Sequence, residues 1–187
     1  MGKHLTLIGR GPSWKECLFQ TEELWGVITC LITEGLADKK YTKVFCFDND
    51  TDAETKQGVE IAKERGIPIV SKFPYATELF PVREVVREFR SSYFMPTMSY
   101  MIAYAIFLGY ERLYIYGIDQ GSRWDYQAGK THIAFWLGVA TGRGVDLRLG
   151  RGSLSWAYRT GLNEMPAAFL EEERNRIANH VSLAGVA

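Results

Sequence analysis

The chain has no charge imbalance: Lys and Arg together number 22 and Asp and Glu 22, beside three His. A balanced chain has no overall field with which to recruit a long nucleic acid or an anionic membrane, so a small molecule is the expected partner. It also lacks any uninterrupted apolar run near the roughly 18 residues that a membrane span requires, and its polar beginning has no signal-peptide core. No C-x-x-C pair occurs. The three cysteines, Cys17, Cys30 and Cys46, are an odd number set in apolar segments, which argues for buried, reduced thiols and a cytoplasmic setting. Repeats and low-complexity stretches are absent too. With 187 residues, 47% of them hydrophobic, the expectation is one domain over 1–187 with a full core.

Aromatic residues are plentiful, with five Trp, ten Tyr and ten Phe. They fill a core, stack on a ligand or face another subunit, and a homo-oligomer is expected on that ground and on the C-terminal helix. Apolar runs at Leu5–Ile8, Lys43–Phe47, Ile67–Val70, Leu113–Tyr116 and Val145–Leu149 read as strands. Residues 14 to about 36 read as a helix closed by Gly35, or as a chain broken near Gly26 with a short strand in the β-branched run 25–32. Helical spacing recurs over Ala53–Arg65, Val82–Phe89, Thr97 or Ser99 to Leu108, Lys130–Thr141 and Pro166 to about His180 (about 166–180), with Gly66 and Gly109 as stops. The irregular aromatic stretch Phe73–Pro81 reads as a lid or a crossover. This alternation predicts an α/β fold: a single Rossmann-like domain, its mostly parallel sheet covered by helices on both faces.

In such sheets ligands sit outside the carboxyl ends of the strands, where the strand order reverses. Three polar clusters follow predicted strands and fall on that edge: Gly9-Arg10-Gly11-Pro12-Ser13, Asp48 to Asp52, and Gly117 to Gln120. A glycine-rich turn between strand and helix points backbone N–H groups at an anion, which makes the first cluster a candidate phosphate loop. Asp48, Asp50 and Asp52 have the spacing of oxygen ligands for a hard cation, and equally that of acids capping the helix from Ala53. No metal is assigned. Asp119, ending an apolar strand, is expected to be capped, paired or ligand-facing.

Two segments together resemble a known group. Gly9-x-Gly11-Pro12-Ser13 after the first strand, and Pro96 to Asp119 with its alanine-rich helix, Leu-Gly-Tyr stop, aromatic strand and Gly-Ile-Asp end, look like the bacterial lipooligosaccharide sialyltransferases. They are similar as well to the motility-accessory glycosyltransferases and the 6-hydroxymethylpterin diphosphokinases. The resemblance implies a nucleotide site, with the first turn near the donor phosphates, Thr97 and Ser99 at the helix start near the sugar, and Gly117 and Asp119 near the nucleotide. Arg10 stands where those sialyltransferases carry Asn, and Met98 where they carry Gly. By order, Tyr126 takes the place of a tyrosine that steadies the leaving phosphate, and His132 that of the general base.

The function expected from this is a glycosyltransferase that uses a nucleotide-activated sugar, a CMP-linked one first, with no cofactor required. Two alternatives stand beside it: a nucleotide-binding sensor or sequestering module that performs no transfer, and a Mg²⁺-dependent diphosphokinase that would put the acidic run to use. His132 at a helix start can also be a cap or a plain surface residue, and Ser13 a helix-entry residue.

Overall fold

β1, His4–Ile8, is the strand on which the sheet is built, and each of its residues from Leu5 onward is buried. It pairs on both sides in parallel, with β2, Glu23–Val27, on one side and β6, Arg112–Tyr116, on the other. In this computed structural model the described residues are 2–48, 52–118 and 124–150, the side chains of 124–128 excepted. They fall in one compact unit, Met1–Ser155; a second unit, Trp156–Ala187, lies outside them, and with it the expected helix about 166–180.

Among the described residues the sheet has seven strands, completed by β3, Lys43–Phe45, β4, Ile69–Ser71, β5, Glu78–Leu79, and β7, Asp146–Leu149. Their order is β5-β4-β3-β2-β1-β6-β7 and every neighbouring pair is parallel. The chain therefore winds outward from β1 to β5, returns to the other side of β1, and continues to β7. This is the α/β architecture with a reversal of strand order between β1 and β6 that the alternation predicts.

Among the described residues four α-helices make the longer connections: α1, Ala53–Glu64, α2, Val82–Phe89, α3, Thr97–Phe107, and α4, Trp124–Gly142. Nearly all of α3 is buried, as expected for a helix apolar on every side. Its Tyr104 packs with Trp25 and Phe45 on one face of the sheet, ring centroids 5.7 and 6.1 Å apart. On the other face Ile8, Leu24, Ile28, Leu31, Val44 and Cys46 form a core with Val59 and Ala62 of α1. Each fully buried aliphatic side chain there contributes about 1.5–3 kcal/mol. All three cysteines are buried and free, and burial pushes the Cys30 thiol up to about 12.

Some elements depart from the periodicity. Residues 14–36 form no α-helix. They hold a 3-10 turn at Pro12–Glu16, then β2, then a second 3-10 turn at Ile28–Ile32. Pairing on both sides overrides local preference here, because Trp25, Gly26 and Val27 each match a residue of β3 while Glu23 to Gly26 match β1. Ladder bonding near β4 begins already at Pro68, whose carbonyl accepts from Val44 N at 2.9 Å. β5 appears within the aromatic stretch, which is thus a crossover that adds an edge strand. α4 starts before Lys130 and runs through Gly129 and Gly138.

α1 opens on Asp52, whose Oδ1 accepts from Thr55 N at 2.8 Å, so the capping alternative holds for this member of the acidic run. Hydrogen bonds from Thr55, its hydroxyl first and its main-chain N–H second, keep the Asp52 carboxyl below its ordinary value of 3.8. A lowered carboxylate stabilises the fold above its unfolded value, and the stabilisation is lost as pH falls through the folded value. Asp52→Ala is expected to cost about 1 kcal/mol in urea unfolding at pH 7. The difference from the unaltered protein should close on acidification.

Candidate functional site

The reversal between β1 and β6 is closed by main chain. Gly9 N donates to Tyr116 O at 2.9 Å, Gly11 N donates to Gly117 O at 3.0 Å, and Gly117 N donates to Ser13 Oγ at 2.9 Å. A Cβ on Gly9 would stand 2.5 Å from Gly117 O; one on Gly117, which has φ +72°, would stand 2.1 Å from Gly9 O. Neither position admits a side chain. From β7, Gly150 N donates to Ile115 O at 2.9 Å, and its Cβ position lies 3.2 Å from Ser13 Cβ. Ser13 is buried at the centre of this junction.

Two amides of the candidate phosphate loop, those of Gly9 and Gly11, are thus bonded inside the protein. Pro12 has no N–H. What the loop presents outward is Arg10, an exposed residue whose guanidinium forms an ion pair with Glu54 on the first turn of α1.

The start of α3 lies over the junction, with Met98 Cε 3.6 Å from the Cβ position of Gly9. Beside it Thr97 joins two elements: its Oγ1 accepts from Phe47 N at 3.3 Å and its hydroxyl donates to the Asp48 carboxylate. The Asp48 residue is exposed, yet protein mass around its carboxyl raises it above the ordinary 3.8; Asp52 adds to the rise, and the Thr97 contact opposes it. Tyr75, from the β4–β5 loop, donates to Asp48 O at 2.7 Å. Ser99 is buried and serves the helix start itself, donating to Pro96 O at 2.8 Å and accepting from Met95 N at 3.3 Å.

Gly9, Arg10, Gly11, Pro12, Ser13, Asp48, Thr97 and Gly117 therefore share one edge, with Ser99 just behind it. His132 lies on α4, half-buried against Tyr93 of the segment that enters α3. Asp119 and the side chain of Tyr126 lie outside the described residues. Among the described residues no group of three or more His, Cys, Asp or Glu could hold a metal ion, and no helix is long and apolar enough to cross a membrane.

Several contributors had no motif to mark them. Phe47 stacks on Tyr100 at 3.7 Å and 6°, and Tyr100 on Phe94 at 4.5 Å and 17°, which fixes the end of β3 against α3. Two surface clefts lie at the opposite edge, one of about 250 Å³ lined by Tyr110, Glu111 and Arg143, the other of about 360 Å³ lined by Phe19, Thr21 and Lys39. Neither touches the residues above, and the position of those residues at the strand reversal is the stronger guide to a site.

No family model matches the sequence, and no curated protein matches it. Two solved structures similar to the chain are of the sialyltransferase CstII from Campylobacter jejuni. One is in complex with the substrate analogue CMP-3FNeuAc, at 15% identity and a TM-score of 0.40, covering 79% of this chain and 78% of that one. The other is in complex with cytidine-5'-monophosphate, at 15% identity and a TM-score of 0.38, covering 84% and 83%. The fold class rests on the strand order and the parallel pairing, which define a Rossmann-like α/β protein whose strand order reverses between β1 and β6.

Two substitutions separate backbone strain from contact. Gly117→Ala meets both a positive φ and the Gly9 carbonyl, whereas Gly66→Ala has a φ of +66° with nothing within 4 Å. The first should cost about 2–4 kcal/mol in urea unfolding and the second about 1 kcal/mol. Asp48→Asn should act in the opposite sense. A carboxyl raised in the folded state binds its proton more tightly there, so stability falls as pH climbs past the unfolded value. The Asn variant is expected to show a higher urea midpoint than the unaltered chain at pH 7 and to lose that advantage below about pH 4.

Proposed function

We propose that this chain binds a nucleotide-activated sugar at the β1/β6 reversal and transfers the sugar to a hydroxyl acceptor. The observation that carries the reading is the junction itself, where Gly9 and Gly117 bring two strand ends together under the first turn of α3. That turn has no side-chain cap on its first amides, its N-cap being Pro96. A helix start without such a cap carries partial positive charge and outward-pointing N–H groups, a setting suited to a phosphate. In this reading Asp48, beyond Thr97, accepts from a ribose hydroxyl or an exocyclic amine.

The sequence resemblance to sialyltransferases selects a CMP-linked sugar as the first donor to try. In this reading the acceptor oxygen forms its bond to the sugar as the bond from sugar carbon to phosphate oxygen breaks. His132 takes the acceptor proton, Tyr126 steadies the departing phosphate, and Asp119 orients the donor. CMP leaves with the bonding electrons. No metal or other cofactor enters this reaction.

Thermal unfolding with CMP, CDP, UDP, GDP and ATP, each with and without Mg²⁺, tests the site. CMP at a hundredfold excess over its Kd should stabilise by about 2.7 kcal/mol, a rise of several degrees. No shift with any of the five nucleotides would refute a nucleotide site. His132→Ala should retain the CMP shift and lose about 10²–10⁴ in transfer rate; unchanged transfer would remove His132 as the base. Stabilisation by ATP that depends on Mg²⁺ would point to the diphosphokinase alternative.

A further inference from the structure

Tyr93 is exposed, yet it is held from several sides. Its ring lies over the imidazole of His132, centroids 3.9 Å apart and planes 16° from parallel. Its hydroxyl is 3.1 Å from Thr131 Oγ1, which in turn is 3.4 Å from His132 Nδ1. Its carbonyl accepts from Trp136 Nε1 at 2.8 Å. Trp136 is fully buried, one turn along α4 from His132, and stacks on Phe94 at 4.9 Å and 11°. Phe135 meets the Tyr93 ring edge-on at 5.5 Å. An exposed tyrosine that only covered surface would need neither the main-chain anchor nor the stack.

We propose that Tyr93 is a positioning residue for His132. It sets the plane of the imidazole by stacking, and Thr131, which its hydroxyl holds, accepts from Nδ1–H. Nε2 is then the unprotonated nitrogen of the ring and carries the lone pair, the form a general base requires. The inference rests on the transferase reading for its catalytic meaning, and on the geometry alone for the hold on the ring. Four residues beyond Tyr93, Thr97 bridges Phe47 and Asp48. One short segment, 93–97, therefore sets both the base and the donor end of the site. Misplacement of a catalytic group by about 1 Å can cost 10²-fold in rate, which makes such a segment worth fixing rigidly.

The test uses the full chain, isotope-labelled, with unaltered protein, Tyr93→Phe, Tyr93→Leu and Thr131→Val compared by NMR after circular dichroism shows each to be folded. The ring protons of His132 should be displaced upfield by the tyrosine ring in the unaltered protein and in Tyr93→Phe, and return toward free values in Tyr93→Leu. Nitrogen shifts should report mainly the Nδ1–H tautomer in the unaltered protein and a mixture in Tyr93→Phe, Tyr93→Leu and Thr131→Val. In transfer assays Tyr93→Leu should lose about ten- to a hundredfold in kcat with donor KM unchanged, and Tyr93→Phe should recover most of it. Identical His132 signals in Tyr93→Leu and the unaltered protein would overturn the proposal, as would a kcat in Tyr93→Leu equal to that of the unaltered protein. If the unaltered protein transfers no sugar, the transferase reading fails, and the His132 signals alone decide whether Tyr93 fixes the ring.

Discussion

Contact between the main chains of Gly9 and Gly117 is the constraint on which this sheet edge depends, because strands distant in sequence end there with no room for a Cβ on either side. The approach is closer than side chains permit, so the bonds that complete it come from backbone and from one small hydroxyl, Ser13 Oγ. Gly150 brings β7 into the same arrangement against Ser13 and Tyr116. The floor of this edge is main chain, and its polar groups are peptide dipoles. Such a floor lets a ligand come near the strand ends, which a row of side chains would prevent.

Above that floor the structure is held by aromatic rings. Phe47, Tyr100, Phe94 and Trp136 succeed one another in near-parallel stacks that run from the end of β3 through α3 to α4. Each such pair contributes about 0.5–1.5 kcal/mol beyond its buried area. Their larger effect is geometric, since they join elements that share no strand pairing. Tyr93 and His132 lie at one end of this series, and Phe47, next to Asp48, at the other. Part of the aromatic surplus in the composition thus goes into setting the edge of the sheet.

How much of this was legible in the chain depended on the range of the physics involved. Local signals read well: Gly66 and Gly109 do end helices in the left-handed region, and the apolar runs of β1 and β6 are strands. The parallel α/β class followed from the same alternation. Residues 14–36 admitted a helix or a short strand near Gly26, and the strand holds in β2, because the two-sided pairing that decides for Glu23–Val27 lies outside the segment. The β5 strand is two residues long and has no pattern to detect. At the site, the shared edge of Gly9, Gly117, Asp48 and Thr97 was readable from their places after strands and at a helix start. The internal bonding of the Gly9 and Gly11 amides was not, because their acceptors lie on β6 and the residue after it. The hold of Tyr93 on His132 likewise joins α4 to a loop some forty positions earlier.

Charge at this edge favours a ligand held by dipoles over one held by a cluster of cations. Arg143 pairs with Glu88 and Arg148 with Asp146. Near the ends of β1 and β3 the described charges are Arg10 against Asp48, Asp52 and Glu54, so an anion would meet carboxylates first. The Arg10–Glu54 pair is exposed, and pairs of that kind are worth about 0–1 kcal/mol, little enough for a phosphate to displace the glutamate. Without that exchange the start of α3 is the site's main attraction for negative charge, equivalent to roughly half an elementary charge. Asp48 works against it from the neighbouring strand, and its raised carboxyl records the cost of keeping that charge there. The two poles are separated by Thr97, whose hydroxyl accepts from Phe47 N and donates to Asp48. An occupant with negative charge at α3 and hydrogen-bond donors toward Asp48 would satisfy both poles.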